Sequence, residues 1–161
     1  MSIKTVVFDS STSSTGVAVF VNGKYINHLL IKTDKETEGD DKLSQMIKLV
    51  YEHIDKEKPD IVLTEKAIVM RNAQTQNMLT ELLGAIRGKC INNNIFYYCL
   101  RPAEWRSIIT KKYNRKPKGR KRADQKEWSL DIVNNVLGIE TDSDDCSDSI
   151  LLGISYIEMF T

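Results

Sequence analysis

The chain has 161 residues, 41% hydrophobic and 28% charged, with three Pro, eight Gly and a formal net charge of +1. That is the size and balance of one globular domain over 1–161, able to bury a core without staples. No run approaches the ~20 apolar residues that span a bilayer, residues 1–5 lack a secretion-signal pattern, and Cys90, Cys99 and Cys146 form no C-x-x-C pair, which suits free thiols in a reducing cytoplasm.

Ile3–Phe8 and Gly16–Val21 are apolar, β-branched runs, and Asn22-Gly23 stands between the second and Tyr25–Ile31. Asn-Gly between strand-like runs is a strong hairpin signal, so three antiparallel strands are predicted. Gly39–Lys58 spaces Leu43, Met46, Ile47, Leu49, Val50 and Ile54 as a helix ended by Pro59. Asp60–Thr64 reads as a short buried strand delivering Glu65 at its end. Asn72–Ile91 reads as a second helix, Ile95–Leu100 as a fifth strand, and Ala103–Lys111 as a short helix behind Pro102. Asp124–Leu137, stopped by Gly138, and Asp145–Phe160 complete the pattern. The order βββαβαβααα predicts an α/β fold, one sheet with helices on its faces.

The net charge of +1 hides an uneven distribution. Lys111, Lys112, Arg115, Lys116, Lys118, Arg120, Lys121, Arg122 and Lys126 crowd one segment against a single acid, Asp124, and the rest of the chain is acidic in balance. Such a run is often only a solvated loop. Here its density, with Pro117 and Gly119 inside it, points to phosphate contact by a flexible arm.

Four acids stand at element ends. Asp9 closes the first strand before the hydroxyl-rich stretch 10–15, Glu65 closes another, and Asp145 and Asp148 project from one face at the start of the last helix. An acid pair at a helix N-terminus also complements the helix dipole. Together with Asp9 and Glu65, however, the pair matches what a hard cation requires: oxygen ligands, a few carboxylates and room for substrate phosphate. Two Mg²⁺ ions, with Mn²⁺ as a substitute, would activate a water and stabilise a leaving oxygen. Trp105 and Trp128 read as core, His28 and His53 as structural or surface, and Cys146 as too soft for Mg²⁺.

These residues resemble a known family. Asp9-Ser-Ser-Thr-Ser-Ser-Thr15-Gly16, then Val62-Leu63-Thr64-Glu65 with Arg71-Asn72-Ala73 and Gly84-Ala85-Ile86-Arg87-Gly88, and finally Asp145-Cys-Ser-Asp148-Ser149 resemble in order the motifs of RuvC Holliday junction resolvases. The resemblance implies a ribonuclease H-like mixed five-stranded sheet with helices on both faces. It also implies a homodimer that nicks paired strands of a four-way junction in a bacterial or phage-infected cytosol. Asp9, Glu65, Asp145 and Asp148 take the places of the family's metal-binding carboxylates, and Lys126 falls near a basic residue placed beside the scissile phosphate. The helix 74–90, with Gly84 and Gly88, would lie at the dimer interface. Two positions depart from the family: Ser10-Ser11 replaces Pro-Gly, and Ile68 replaces an aromatic that stacks on a base.

Other readings remain open at this stage. The stretch from Asp9 to Gly16 also resembles a phosphate loop of actin-like kinases, but the chain has about half the needed length and no second phosphate loop, so no nucleotide cofactor is expected. A non-cleaving binder of branched DNA, and a nuclease of the same fold acting on flaps or forks, are the remaining alternatives.

Overall fold

A computed structural model describes residues 1–68 and 71–161. Its elements are β1 (Lys4–Asp9), β2 (Ser14–Val21), β3 (Lys24–Lys32), α1 (Gly39–Glu57), β4 (Ile61–Glu65), α2 (Ala73–Asn92), β5 (Phe96–Leu100), α3 (Pro102–Tyr113), α4 (Arg122–Asp131) and α5 (Asp144–Met159), with a π-helical turn at Ile132–Val136 after α4. The strands form one sheet in the order β3-β2-β1-β4-β5. β1 to β3 are an antiparallel meander, whereas β1–β4 and β4–β5 pair in parallel. The mixed five-stranded sheet expected from the sequence is the one observed.

The meander turns at Asn22 and Gly23, whose φ angles of 50° and 74° suit the tight, twisted connection that Asn-Gly favours. Asn22 also accepts the backbone N–H of Ile3 through Oδ1 at 2.8 Å, tying the turn to the start of β1.

Alternation along β1 builds both cores. Val6 and Phe8 join α1 and α2 on one face through Met46, Val50, Ile54, Leu82 and Ile86. Val7 faces the other way with Leu63 of β4, into Trp105, Ile109, Trp128, Ile150 and Leu151 from α3, α4 and α5. A central strand covered on both faces reads as an unbroken apolar run, and β1 is such a run.

One sequence expectation is corrected in detail. The helix expected over Asp124–Leu137 begins earlier, at Arg122, and changes at Ile132 into the π-helical turn, where Leu137 N–H bonds Ile132 O at 3.0 Å. The widened turn keeps Ile132 and Val133 both in the core. Asn134 then pairs by both side-chain atoms with the Thr141 backbone, which leads the chain into α5. On α2, Leu82, Leu83, Ile86 and Cys90 are buried against the sheet, while Gly84 and Gly88 are exposed, with open space where a Cβ would stand. Among the described residues no helix is long and apolar enough to cross a membrane.

Candidate active site

Parallel pairing sets Val7 beside Leu63 and Phe8 beside Thr64, so Asp9 and Glu65 leave the same end of neighbouring strands. Crevices outside the carboxyl ends of strands are the usual ligand sites of α/β sheets. α5 brings the other two acids there by close approach. Gly16 is buried opposite Asp9 in the β1–β2 pair, and a Cβ on it would overlap the Asp145 carbonyl and the Cys146 nitrogen. Glycine is required here for space, since its φ is not in the left-handed region.

The hydroxyl-rich loop after Asp9 satisfies its own backbone. Ser11 Oγ donates to Ser14 O and accepts from the N–H groups of Ser13 and Ser14, while Thr15 Oγ1 donates to Ser11 O. Ser10 Oγ, beside Asp9, is withdrawn from solvent and has no hydrogen-bond partner among the described residues.

Asp9, Glu65, Asp145 and Asp148 all line one cavity of about 530 Å³. Each of the last three is held by its own donor: Trp105 Nε1–H to Glu65 at 2.5 Å, Ser14 Oγ–H to Asp145 at 2.5 Å, and Ser129 Oγ–H to Asp148 at 2.6 Å. The four reach the cavity from β1, β4 and the head of α5. Among the described residues no three Asp, Glu, His or Cys side chains form a ready-made cage for an ion.

Their charges nevertheless feel one another. Burial, followed by the charges of Asp148, Glu65 and Asp145, holds the Asp9 carboxyl well above the usual carboxylate range. Burial pushes Asp148 up to about 7, against the pull of Ser129 and Arg106. Glu65 is raised by burial and eased by Trp105 and Arg106. Asp145 is raised by burial and eased by Ser14, Lys126 and Arg122.

Cations complete the rim. Lys126, Arg120 and Arg122 line the cavity, and Arg106 of α3, which sequence reasoning missed, joins them. Lys126 is not free, because its Nζ is paired with Asp144 at 2.5 Å. The rest of the basic segment divides. Lys112, Arg115 and Lys118 are paired with Glu158, Asp131 and Glu127, while Lys111, Lys116 and Lys121 are exposed away from the acid cavity. A larger open groove of about 800 Å³ lies where Arg115, Lys116 and Lys118 meet α4. Two of its three cations are already neutralised, and none of the four carboxylates reaches it.

Three solved structures share this architecture. Thermus thermophilus RuvC in complex with a Holliday junction substrate matches over 98% of this chain and 96% of its own, at a TM-score of 0.72 and 15% identity. The fold is that of RuvC. A second structure of Thermus thermophilus RuvC matches over 99% and 98% of the two chains at the same TM-score, with 16% identity. The yeast mitochondrial Holliday junction resolvase Ydc2 matches over 95% of this chain and 77% of its own, at a TM-score of 0.64 and 14% identity. No protein-family model matches the sequence, and no curated protein matches it. The chain thus shares the RuvC fold at 14–16% identity, with acids at the ends of β1 and β4 and at the head of α5.

Proposed function

We infer that the protein is a divalent-metal-dependent endonuclease that resolves four-way DNA junctions. One observation carries this reading: in a RuvC fold, four carboxylates from three separate elements line one cavity whose rim is cationic. A polyanion whose phosphate must lie against acids needs both, cations to hold it and a counter-charge to relieve the acids.

The donor set fits a hard cation such as Mg²⁺ or Mn²⁺. Mg²⁺ sites characteristically use one or two protein carboxylates, with water and substrate phosphate oxygens filling the other positions. Strands and a helix that each supply one or two acids, as β1, β4 and α5 do, suit that demand. The Ser10 hydroxyl beside Asp9, without a hydrogen-bond partner among the described residues, would offer the site a further oxygen. In such a site the bound ions supply an activated water and neutralise the leaving oxygen.

The residues of the chain have separable tasks in this reading. Asp9, central to the cluster, and Glu65, Asp145 and Asp148 hold the cations. Arg106, Arg120 and Arg122 orient the scissile phosphate and offset the charge it develops, with Lys126 steadied by Asp144. Two copies would place two such sites on the symmetry-related strands of a junction. T. thermophilus RuvC in complex with its Holliday junction substrate supports a four-way junction over flaps or forks.

The deciding experiment incubates the protein with a synthetic four-way junction, a fork and a linear duplex, with and without Mg²⁺ or Mn²⁺. Paired nicks on the junction that require metal are expected. Equal cutting of all three DNAs would leave a nuclease without junction selectivity, and binding without cutting would reduce the protein to a branched-DNA binder.

The arm makes its own prediction. Each phosphate contact changes the slope of log K against log salt by about 0.9. Alanine at Arg120, Lys121 and Arg122 should therefore flatten the slope for junction binding by about 2 to 3. Lys112→Ala, Arg115→Ala and Lys118→Ala together should flatten it less, because those cations already have acid partners. An unchanged slope in the first variant would remove the arm from the DNA interface.

A further inference from the structure

We propose that Trp105 is a positioning residue that holds the Glu65 carboxylate and the Arg106 guanidinium in fixed relation at the wall of the acid cavity. The proposal rests on the metal-dependent reading of that cavity and extends it to the group that sets one ligand's geometry.

Trp105 has no exposed surface and belongs to the α3–α5 core, so its ring is accounted for as packing. Its N–H is not. An indole has a single donor and no acceptor, and a buried one finds a partner. Here the partner is Glu65 Oε2 at 2.5 Å. The terminal torsion of a glutamate is broad, so a donor on one oxygen fixes which way the other points.

The donor itself is fixed. The Trp105 ring stacks on Trp128 with centroids 6.2 Å apart and planes 29° apart. Trp128 is anchored in turn by its Nε1–H, which donates to Arg115 O at 3.0 Å. On Trp105 the Arg106 guanidinium carbon lies 4.9 Å from the ring centroid, and Arg106 lines the cavity beside Glu65. One ring thus holds an acid by its edge and a cation by its face.

Groups that orient a metal ligand typically change metal affinity or activity 10–100-fold when removed. Trp105→Phe keeps a stacking ring and deletes the N–H. Mn²⁺ binding to the DNA-free protein, read from the EPR signal of unbound Mn²⁺, should weaken about tenfold or more. The kcat for junction cleavage should fall by a similar factor, with KM for DNA unchanged. Trp128→Phe makes the same replacement one ring further from Glu65 and loosens only the support of the donor, so it should weaken Mn²⁺ binding less than Trp105→Phe does. In a Glu65→Gln background, Trp105→Phe should change Mn²⁺ binding no further.

A Trp105→Phe protein that binds Mn²⁺ as the wild type does, or loses no more than Trp128→Phe, overturns the proposal and leaves Trp105 as core alone. A readout on the unaltered protein guards against a variant that does not fold: the Trp105 indole ¹H–¹⁵N resonance should move on Mg²⁺ addition, and the Trp128 resonance should not. An unmoved Trp105 resonance also overturns it. Wild-type protein that binds Mn²⁺ but cuts no branched DNA would sink the junction reading and leave this one standing.

Discussion

Asp9→Asn is expected to abolish junction cleavage, preserve or tighten junction binding, and raise the melting temperature of the metal-free protein at pH 8. The first effect follows from position. Asp9 is the acid on which the charges of Asp148, Glu65 and Asp145 all act, and in the proposed site it would help hold the cations. Losing a central ligand should cost several kcal/mol of transition-state stabilisation, about a thousandfold or more in rate. Binding is spared because the change removes a negative charge next to phosphate. Loss of cutting and binding together would point to misfolding and undo the assignment.

The stability effect has a definite sign. Asp9 and Asp148 have folded pKa values raised above the ordinary carboxylate value, chiefly by burial. A raised acid contributes stability that is complete below its unfolded pKa, near 4, and is lost as pH rises through the folded value. For Asp148 that value is about 7. The metal-free protein should therefore lose stability between about pH 4 and pH 8. At pH 8 Asp9→Asn should melt several degrees higher than the wild type, with the gap closing toward pH 4, where both side chains are neutral. Mg²⁺ should raise the wild-type melting temperature more than that of the variant. A variant that melts at or below the wild-type temperature at pH 8 would mean the acids are not held under mutual repulsion.

Why the acids were legible in the sequence and their supports were not has a physical explanation. Asp9 and Glu65 each end an apolar run, and Asp145 and Asp148 open an apolar helix; the contrast between a buried run and a charged terminus is visible one residue at a time. Trp105, Ser14 and Ser129 give no such contrast. A tryptophan in a helical apolar pattern reads as core, and Trp105 is core. Its second role, as donor to Glu65, depends on α3 crossing the end of β4. The usable hint was that a buried indole N–H needs an acceptor. Ser129 lies 19 residues from Asp148, and Ser14 lies 131 from Asp145. No periodicity links such pairs.

The basic segment was legible as charge but not as field. Its nine cations looked unopposed because the acids that oppose Lys112, Arg115 and Lys118 lie 46, 16 and 9 residues away along the chain. Folding brings Glu158, Asp131 and Glu127 back onto the arm, leaving Arg120, Arg122 and the Asp144-paired Lys126 as the segment's cations that line the acid cavity. Arg106 makes the opposite case: a single cation within an ordinary helix, outside the dense run, ends up on the cavity rim.

Gly16→Ala should do more damage than any other glycine-to-alanine change that the packing around α2 and α5 allows to be compared. The added methyl has nowhere to go, since it meets the backbone of Asp145 and Cys146 rather than the end of a flexible side chain. α5 cannot easily retreat: its cap is fixed by Ser143 Oγ, which accepts the Cys146 N–H at 3.2 Å, and Gly153 admits the Phe20 ring further along. Overpacking of this kind costs about 1–3 kcal/mol, or roughly 2–12 °C in melting temperature at this chain length. The catalytic loss should be larger than the stability loss. Moving the head of α5 by about 1 Å carries Asp145 and Asp148 away from Asp9 and Glu65 together, and a displacement of that size can cost about a hundredfold in rate. Gly84→Ala and Gly88→Ala, in exposed helix with open space around them, should instead stabilise the monomer by about 0.5–1 kcal/mol each. If that face packs against a second copy, those two variants would shift sedimentation toward the monomer while leaving metal binding intact. Should Gly16→Ala cut and melt like Gly84→Ala, the close approach of β2 and α5 is not what assembles the carboxylates.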